Sequence, residues 1–355
     1  MKTTVLNKLR KAFPLLIFML FSIAIINNPY ASITGARKGL MFCAQTVVPC
    51  LFPFTVAGIF LNKSGGILYF SKVFNKISSM FFKINGTELS IFLLSLVGGY
   101  PMGAKLIGEM QKQGQITKKR AYFLLTFCIN ASPTFFISAV GIGIFSSKYV
   151  GIILFLANLL SSVTLMLLLG RISFKNESFI HQKNTFYTLG DSLVLSVKES
   201  SEIFLGICGF ITIFSTLNSL LNEIIKSKWL KLVLIVLFEV TTACDFVSKE
   251  NIKIYIFSFI ISFGGLSTIF QILTCLNGCN INFLYLFLSR IFQGLLSSLY
   301  CFLFFKIFPT ALPTFSTHNN IILNNTTSLI PTLSLVAFGV LYLIYLNRCF
   351  LSKNT

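Results

Sequence analysis

The chain is 355 residues long, 55% hydrophobic and only 11% charged, with 40 phenylalanines and a formal net charge of +19. A soluble globular domain carries about 25% charged residues, so this inventory cannot build a water-facing surface and excludes an ordinary soluble enzyme. The basic residues stand between apolar runs, not in an arm interleaved with aromatics, which argues for topogenic charge at a lipid bilayer and against nucleic acid as a partner.

The N-terminal stretch sets Lys2, Lys8, Arg10 and Lys11 before an apolar run but lacks a convincing small-residue cleavage site, so 13–27 is expected to be a retained first anchor. Membrane-spanning helices are expected at 43–61, 121–145, 150–170, 203–221, 254–276, 282–305 and 329–346. Val150–Gly170 contains no charge at all and suffices for about 30 Å of hydrocarbon. Two further apolar segments are spoiled. Residues 89–113 contain Gly98, Gly99 and Pro101, and 229–247 carry Glu239 with Thr241, Thr242 and Asp245 just beyond. Both read as re-entrant hairpins.

With the N-terminus cytoplasmic, this arrangement puts 19 Lys and Arg inside and 9 outside, with Arg290 inside a span. A full crossing by 89–113 would flip the later loops and send the basic 171–200 loop outward, against the positive-inside bias. The expected fold is an all-α polytopic membrane protein, one domain over 1–355, with about eight transmembrane helices and two re-entrant hairpins. Residues 43–145 form one repeat, 150–170 connect, 203–276 form an inverted second repeat, and 282–346 are C-terminal helices. Inverted halves with broken helices are the architecture of secondary transporters.

The breaks carry the candidate site. Pro101 suits the first turn of a new helix, and Gly98 and Gly99 permit the bend before it. In "CINASPTFF" (128–136) Asn130 or Ser132 can cap and Pro133 can open the next helix. Two half-helix N-termini in a protected cavity suit a carboxylate or other anion; the alternative is that Gly99 and Gly103 only allow close helix packing. Glu239 and Arg290 would each cost about 2.5–3.5 kcal/mol at mid-membrane. They are expected to face the interior, as a mutual pair, as snorkelling ends or as coupling groups for H+ or Na+. Gln271 can bond a ligand or a neighbouring helix.

Neither a phosphate-binding loop, a zinc-protease motif nor a nucleophile elbow occurs, so no enzymatic activity is expected. Cys275 and Cys279 lack a second pair, and His181 and His318 lie in separate loops, so no metal or cofactor is expected. The sequence carries no signal for oligomeric state.

At "VVPCLFPF" (47–54), "GGYPMGAKL" (98–106), "NASPTFFISAVGIGIF" (130–145) and "SFGGLSTIFQIL" (262–273) the chain resembles the YlbJ family of sporulation integral membrane proteins, which carry the nucleoside-recognition Gate domain. The resemblance covers roughly residues 30–305. It implies a fold similar to concentrative nucleoside transporters, and adds Gly264, Gly265 and Ser267 to the candidate substrate site. It also implies a role in endospore formation: moving dipicolinic acid from the mother cell toward the forespore, across the mother-cell-derived outer forespore membrane. Helix ends would suit the two carboxylates, and Tyr100, Phe135 and Phe136 the ring. The alternatives are a carrier of nucleosides or other small anions, and a non-transporting assembly protein of the spore envelope.

Overall fold

The computed structural model describes residues 2–82, 84–173, 186–250, 252–276 and 278–308. All of these belong to the first of two units, Met1–Ser316; the second, Thr317–Thr355, lies outside the described residues, as do the expected span 329–346 and both histidines. Every regular element among the described residues is helical.

Helix α1 (Lys2–Asn27) ends at Asn28, and Pro29 opens α2 (Pro29–Phe42), where its missing N–H costs nothing. Through a π-helical segment, Cys43–Val47, α2 runs on into α3 (Val48–Lys63). The span expected at 43–61 therefore begins at Pro29, as one 35-residue run. Two glycines in its first part, Gly35 and Gly39, face another helix at contact distance. A Cβ on Gly35 would come within 2.7 Å of Ser219, and one on Gly39 within 2.9 Å of the Thr212 backbone. Small residues let membrane helices touch in this way.

After α4 (Gly66–Ile77) come α5 (Gly86–Gly98) and α6 (Tyr100–Lys112), split at Gly99. Helix α7 (Lys118–Phe127) stops, and the chain stays non-helical until Pro133 and the π-helical segment Phe135–Ile142. Helix α8 (Lys148–Ser173) matches the expected connecting helix, and α9 (Leu189–Ile224) extends the expected 203–221 at its N-terminal side. The second half then repeats the breaks: α10 (Lys228–Phe238) and α11 (Val240–Lys249) part at Glu239, and α12 (Ile254–Phe263) and α13 (Gly265–Cys275) at Gly264. Helix α14 (Phe283–Ile307) closes the described chain. Among the described residues, five runs are long and apolar enough to cross a membrane: Pro29–Lys63, Lys148–Gly170, Leu189–Ile224, Ile254–Cys275 and Phe283–Ile307.

The two short-helix pairs fold back on themselves. Lys228, at the start of α10, forms an ion pair with Glu250, just past the end of α11. At the start of α5, Asn85 and Glu88 make a reciprocal capping box, and the buried Glu88 carboxylate also receives the Arg120 guanidinium at 2.5 and 2.7 Å. Arg120 lies in the first turn of α7, which a tight turn joins to the end of α6. Both ends of each pair therefore lie at one end of the molecule.

Candidate functional site

Each break has its own local chemistry. Gly99 ends α5 with φ at +78°, a conformation that costs a side-chain-bearing residue but not glycine, and its N–H bonds the Ser95 carbonyl at 3.0 Å. Pro101 then sits in the first turn of α6. Tyr100 donates its hydroxyl to the Ile261 carbonyl, in the last turn of α12, tying the first-half break to a second-half one.

The interruption after α7 is held from outside. Arg290 donates to the Ile129 carbonyl and, at 2.7 Å, to the Thr126 carbonyl, so a cation meets the carbonyl end of the helix. Asn130 Nδ2 donates to the Phe127 carbonyl at 2.7 Å. Its Oδ1 accepts from Asn158 (3.2 Å), Ser162 (2.6 Å) and Gln293 (2.8 Å), and Ser262 donates to Asn158 at 2.9 Å. Irregular backbone in hydrocarbon needs such partners. At the far end of the interruption, Ser132 Oγ accepts the Phe135 N–H at 3.2 Å and caps the helix opened by Pro133.

Glu239 interrupts the second hairpin in extended conformation and caps α11 with its own carboxylate. It accepts the N–H groups of Thr241 (2.9 Å) and Thr242 (2.7 Å) and both threonine hydroxyls (2.5 and 2.9 Å). Gly264 and Gly265, at φ +80° and +76°, form the fourth break; a Cβ on Gly265 would stand 3.1 Å from the Glu239 N. The second-half breaks thus abut.

Residues from all four breaks, or the helices leaving them, surround a cavity of about 50 Å³, counted as space for the centre of a water-sized sphere. At ~10–15 Å³ each, that is room for about four waters. Of the expected site residues, Gly99, Tyr100, Pro101, Ser132, Glu239 and Gln271 line it, as does Phe135. Gly98, Gly103, Asn130, Pro133, Gly264, Gly265, Ser267, Arg290 and Phe136 are not in its walls. Gly103 instead lets α6 meet the chain after α7, since a Cβ there would overlap the Cys128 carbonyl. Asn130 is spent on the buried amide cluster, and Ser267 accepts from Gln271 Nε2 at 3.1 Å. Arg290 and Glu239 do not pair: Arg290 donates to backbone carbonyls, and Glu239 accepts from backbone amides and threonine hydroxyls.

Sequence reasoning missed the wall formed by Thr46, Val47, Cys50 and Leu51, and the contributions of Thr241 and Thr268. The available signal was a small polar cluster, Cys43 to Thr46, inside an apolar run, where the helix is π-wound. Such π-turns occur often at functional sites. Among the described residues no group of three or more His, Cys, Asp or Glu could hold a metal ion.

Interrupted helices gathered around an internal cavity, within a frame of long apolar helices, define a multi-pass α-helical membrane protein. Over 336 residues the chain is 25% identical to the sporulation integral membrane protein YlbJ of Bacillus subtilis (strain 168), covering 83% of this chain and 82% of that protein. That likeness bears out the resemblance to the YlbJ family read from the motifs. No family model and no solved structure matches the chain.

Proposed function

We propose that this protein is a secondary transporter of endospore formation that carries dipicolinic acid, a small aromatic dicarboxylate, from the mother cell toward the forespore. The observation that carries this reading is the convergence on one cavity of the α6 N-terminus at Gly99–Pro101 and the capped helix start at Ser132–Phe135. Helix N-termini offer unpaired N–H groups and positive potential to an anion. Tyr100 and Phe135 give the same cavity aromatic walls. The name of the similar Bacillus subtilis protein supports the sporulation setting.

In this reading the two fold-back pairs are re-entrant hairpins, the N-terminus is cytoplasmic and the membrane is the outer forespore membrane. Glu239 sets the coupling. Its carboxylate stands in the cavity wall and, when ionised, repels an arriving dianion. Binding of the coupled ion, H+ or Na+, at this carboxylate would remove that repulsion.

The same carboxylate supports a second reading. Glu239 and Gln271 in the cavity wall can accept from hydroxyls, which a nucleoside would offer. Uptake of labelled dipicolinate and uridine by proteoliposomes containing only this protein separates them. Saturable uptake of dipicolinate, lost in Ser132→Ala at equal protein abundance, is the expected result. Saturable uptake of uridine alone supports the second reading, and reproducible inactivity toward both favours an assembly role.

A further inference from the structure

Four charged side chains meet away from the cavity just described. Lys63, at the end of α3, lies 3.4 Å from Glu109 and 2.8 Å from Glu199; Lys105 lies 3.2 Å from Glu109 and 2.8 Å from Glu199. Asn62 donates to Glu109 at 2.8 Å. The quartet draws on three helices, α3, α6 and α9, and each side chain is at least 80% buried. Two cations and two anions alternate, so no member is left with a like-charged neighbour alone. Lone surface pairs contribute about 1 kcal/mol at most, whereas networks held by several partners do more.

Its position gives it a role. Along α9, Glu199 stands eight residues, or about 12 Å, before Ile207, which lines the central cavity. Along α3, Lys63 stands about 20 Å beyond Cys50, another wall residue. In the opposite direction, toward the end of α9 and back from α3 into α2, lies a second cavity of about 420 Å³. It shares Phe42, Phe135 and Thr241 with the first, and it carries Lys38, Asn222 and Lys249. The central cavity therefore has a roomy, polar-rimmed vestibule at its Lys38 end and a knot of ion pairs at its Lys63 end.

We infer that the Lys63–Glu109–Lys105–Glu199 quartet is a gate, and that this structure is the state closed at the Lys63 end and open at the Lys38 end. The inference rests on the transport reading. The quartet pins α3 and α9 against α6, the helix that starts at Gly99 in the cavity wall. Opening the Lys63 end requires these three helices to part, which the four ion pairs oppose. Charged groups also suit a gate because water hydrates each of them once they separate, so the open state carries no unpaired buried charge.

The test uses Cys50 as the sole thiol, with the other cysteines replaced, and a membrane-impermeant methanethiosulfonate applied to right-side-out and inside-out vesicles. Single cysteines at Lys118 and Lys228 identify the two faces. In the parent, Cys50 should react from the Lys228 face and be protected from the Lys118 face. Glu199→Gln, which leaves two partly buried lysines sharing one acid, should raise labelling from the Lys118 face by about tenfold or more. Glu109→Gln, on a different helix, should do the same, and serves if the first variant misfolds; Glu199→Asp should keep most of the protection. Equal labelling from both faces in the parent overturns the gate. So does protection that persists in both Gln variants, even if they are less stable, since that is what a purely structural bridge predicts. Because labelling reads access and not uptake, its failure leaves the transport reading intact. A switch in access without uptake of either ligand would sink the transport reading instead.

Discussion

Glu239 and Arg290 both bring charge into apolar helices, and backbone groups meet each of them. Arg290 serves the carbonyl end of α7 and Glu239 the amide end of α11, two ends of opposite polarity. They share no hydrogen-bond partner, so the effects of Glu239→Gln and Arg290→Gln on thermal stability should add to within about 0.5 kcal/mol, as measured in a double-mutant cycle. A recovery of stability in the double variant would contradict this. Glu239→Gln should also change the dependence of uptake on the coupled ion while the protein stays in the membrane. At Ser132, loss of the cap should cost about 1 kcal/mol of stability, too little to abolish folding, so activity per folded molecule reports on the site. Gly99→Leu is less informative than its sequence context suggests, because its φ of +78° penalises any side chain whatever the ligand. The residue types at the breaks were legible because Gly, Pro and a buried Glu have few reasons to interrupt an apolar run. Whether Asn130 faced a ligand was not legible: its partners Asn158 and Gln293 come from helices far along the chain.

Among the elements, the fold-back pairs depend on clips at their bases. Glu88 is fully buried and receives both arms of the Arg120 fork. Breaking a buried pair by removing one partner costs about 3–5 kcal/mol, so Glu88→Gln should lower the melting temperature in detergent far more than removing the exposed Lys249–Asp245 pair by Lys249→Gln. Comparable shifts in the two variants would show that the clip does little. If each pair enters and leaves on one side, cysteines at Lys118 and Lys228 should react with an impermeant reagent from opposite faces. Reaction from one shared face would rule the re-entrant arrangement out. Hydrophobic run length and punctuation located the breaks in 89–113 and 229–247 to within a residue or two. The start of α2 at Pro29 escaped, and the use of Gly35 and Gly39 is visible only once α9 is known to lie against them.

For the whole molecule, the central claim is that four breaks, distant in sequence, make one binding cavity between the two halves. Repetition of the break pattern made two halves legible, but α2, α3 and α9 supply walls from residues that look like ordinary span. Only tertiary packing identifies them. Cys50 is the most useful of these, a natural thiol in the cavity wall. The most direct test is ligand protection of Cys50, kept as the sole thiol, against alkylation in the purified protein. Dipicolinate should slow the reaction saturably, with half-protection near the concentration that half-saturates uptake, and should lose about tenfold or more in potency in Ser132→Ala, the loss expected for a charge-assisted hydrogen bond. An alkylation rate unchanged at dipicolinate concentrations that saturate uptake would show that the substrate binds elsewhere.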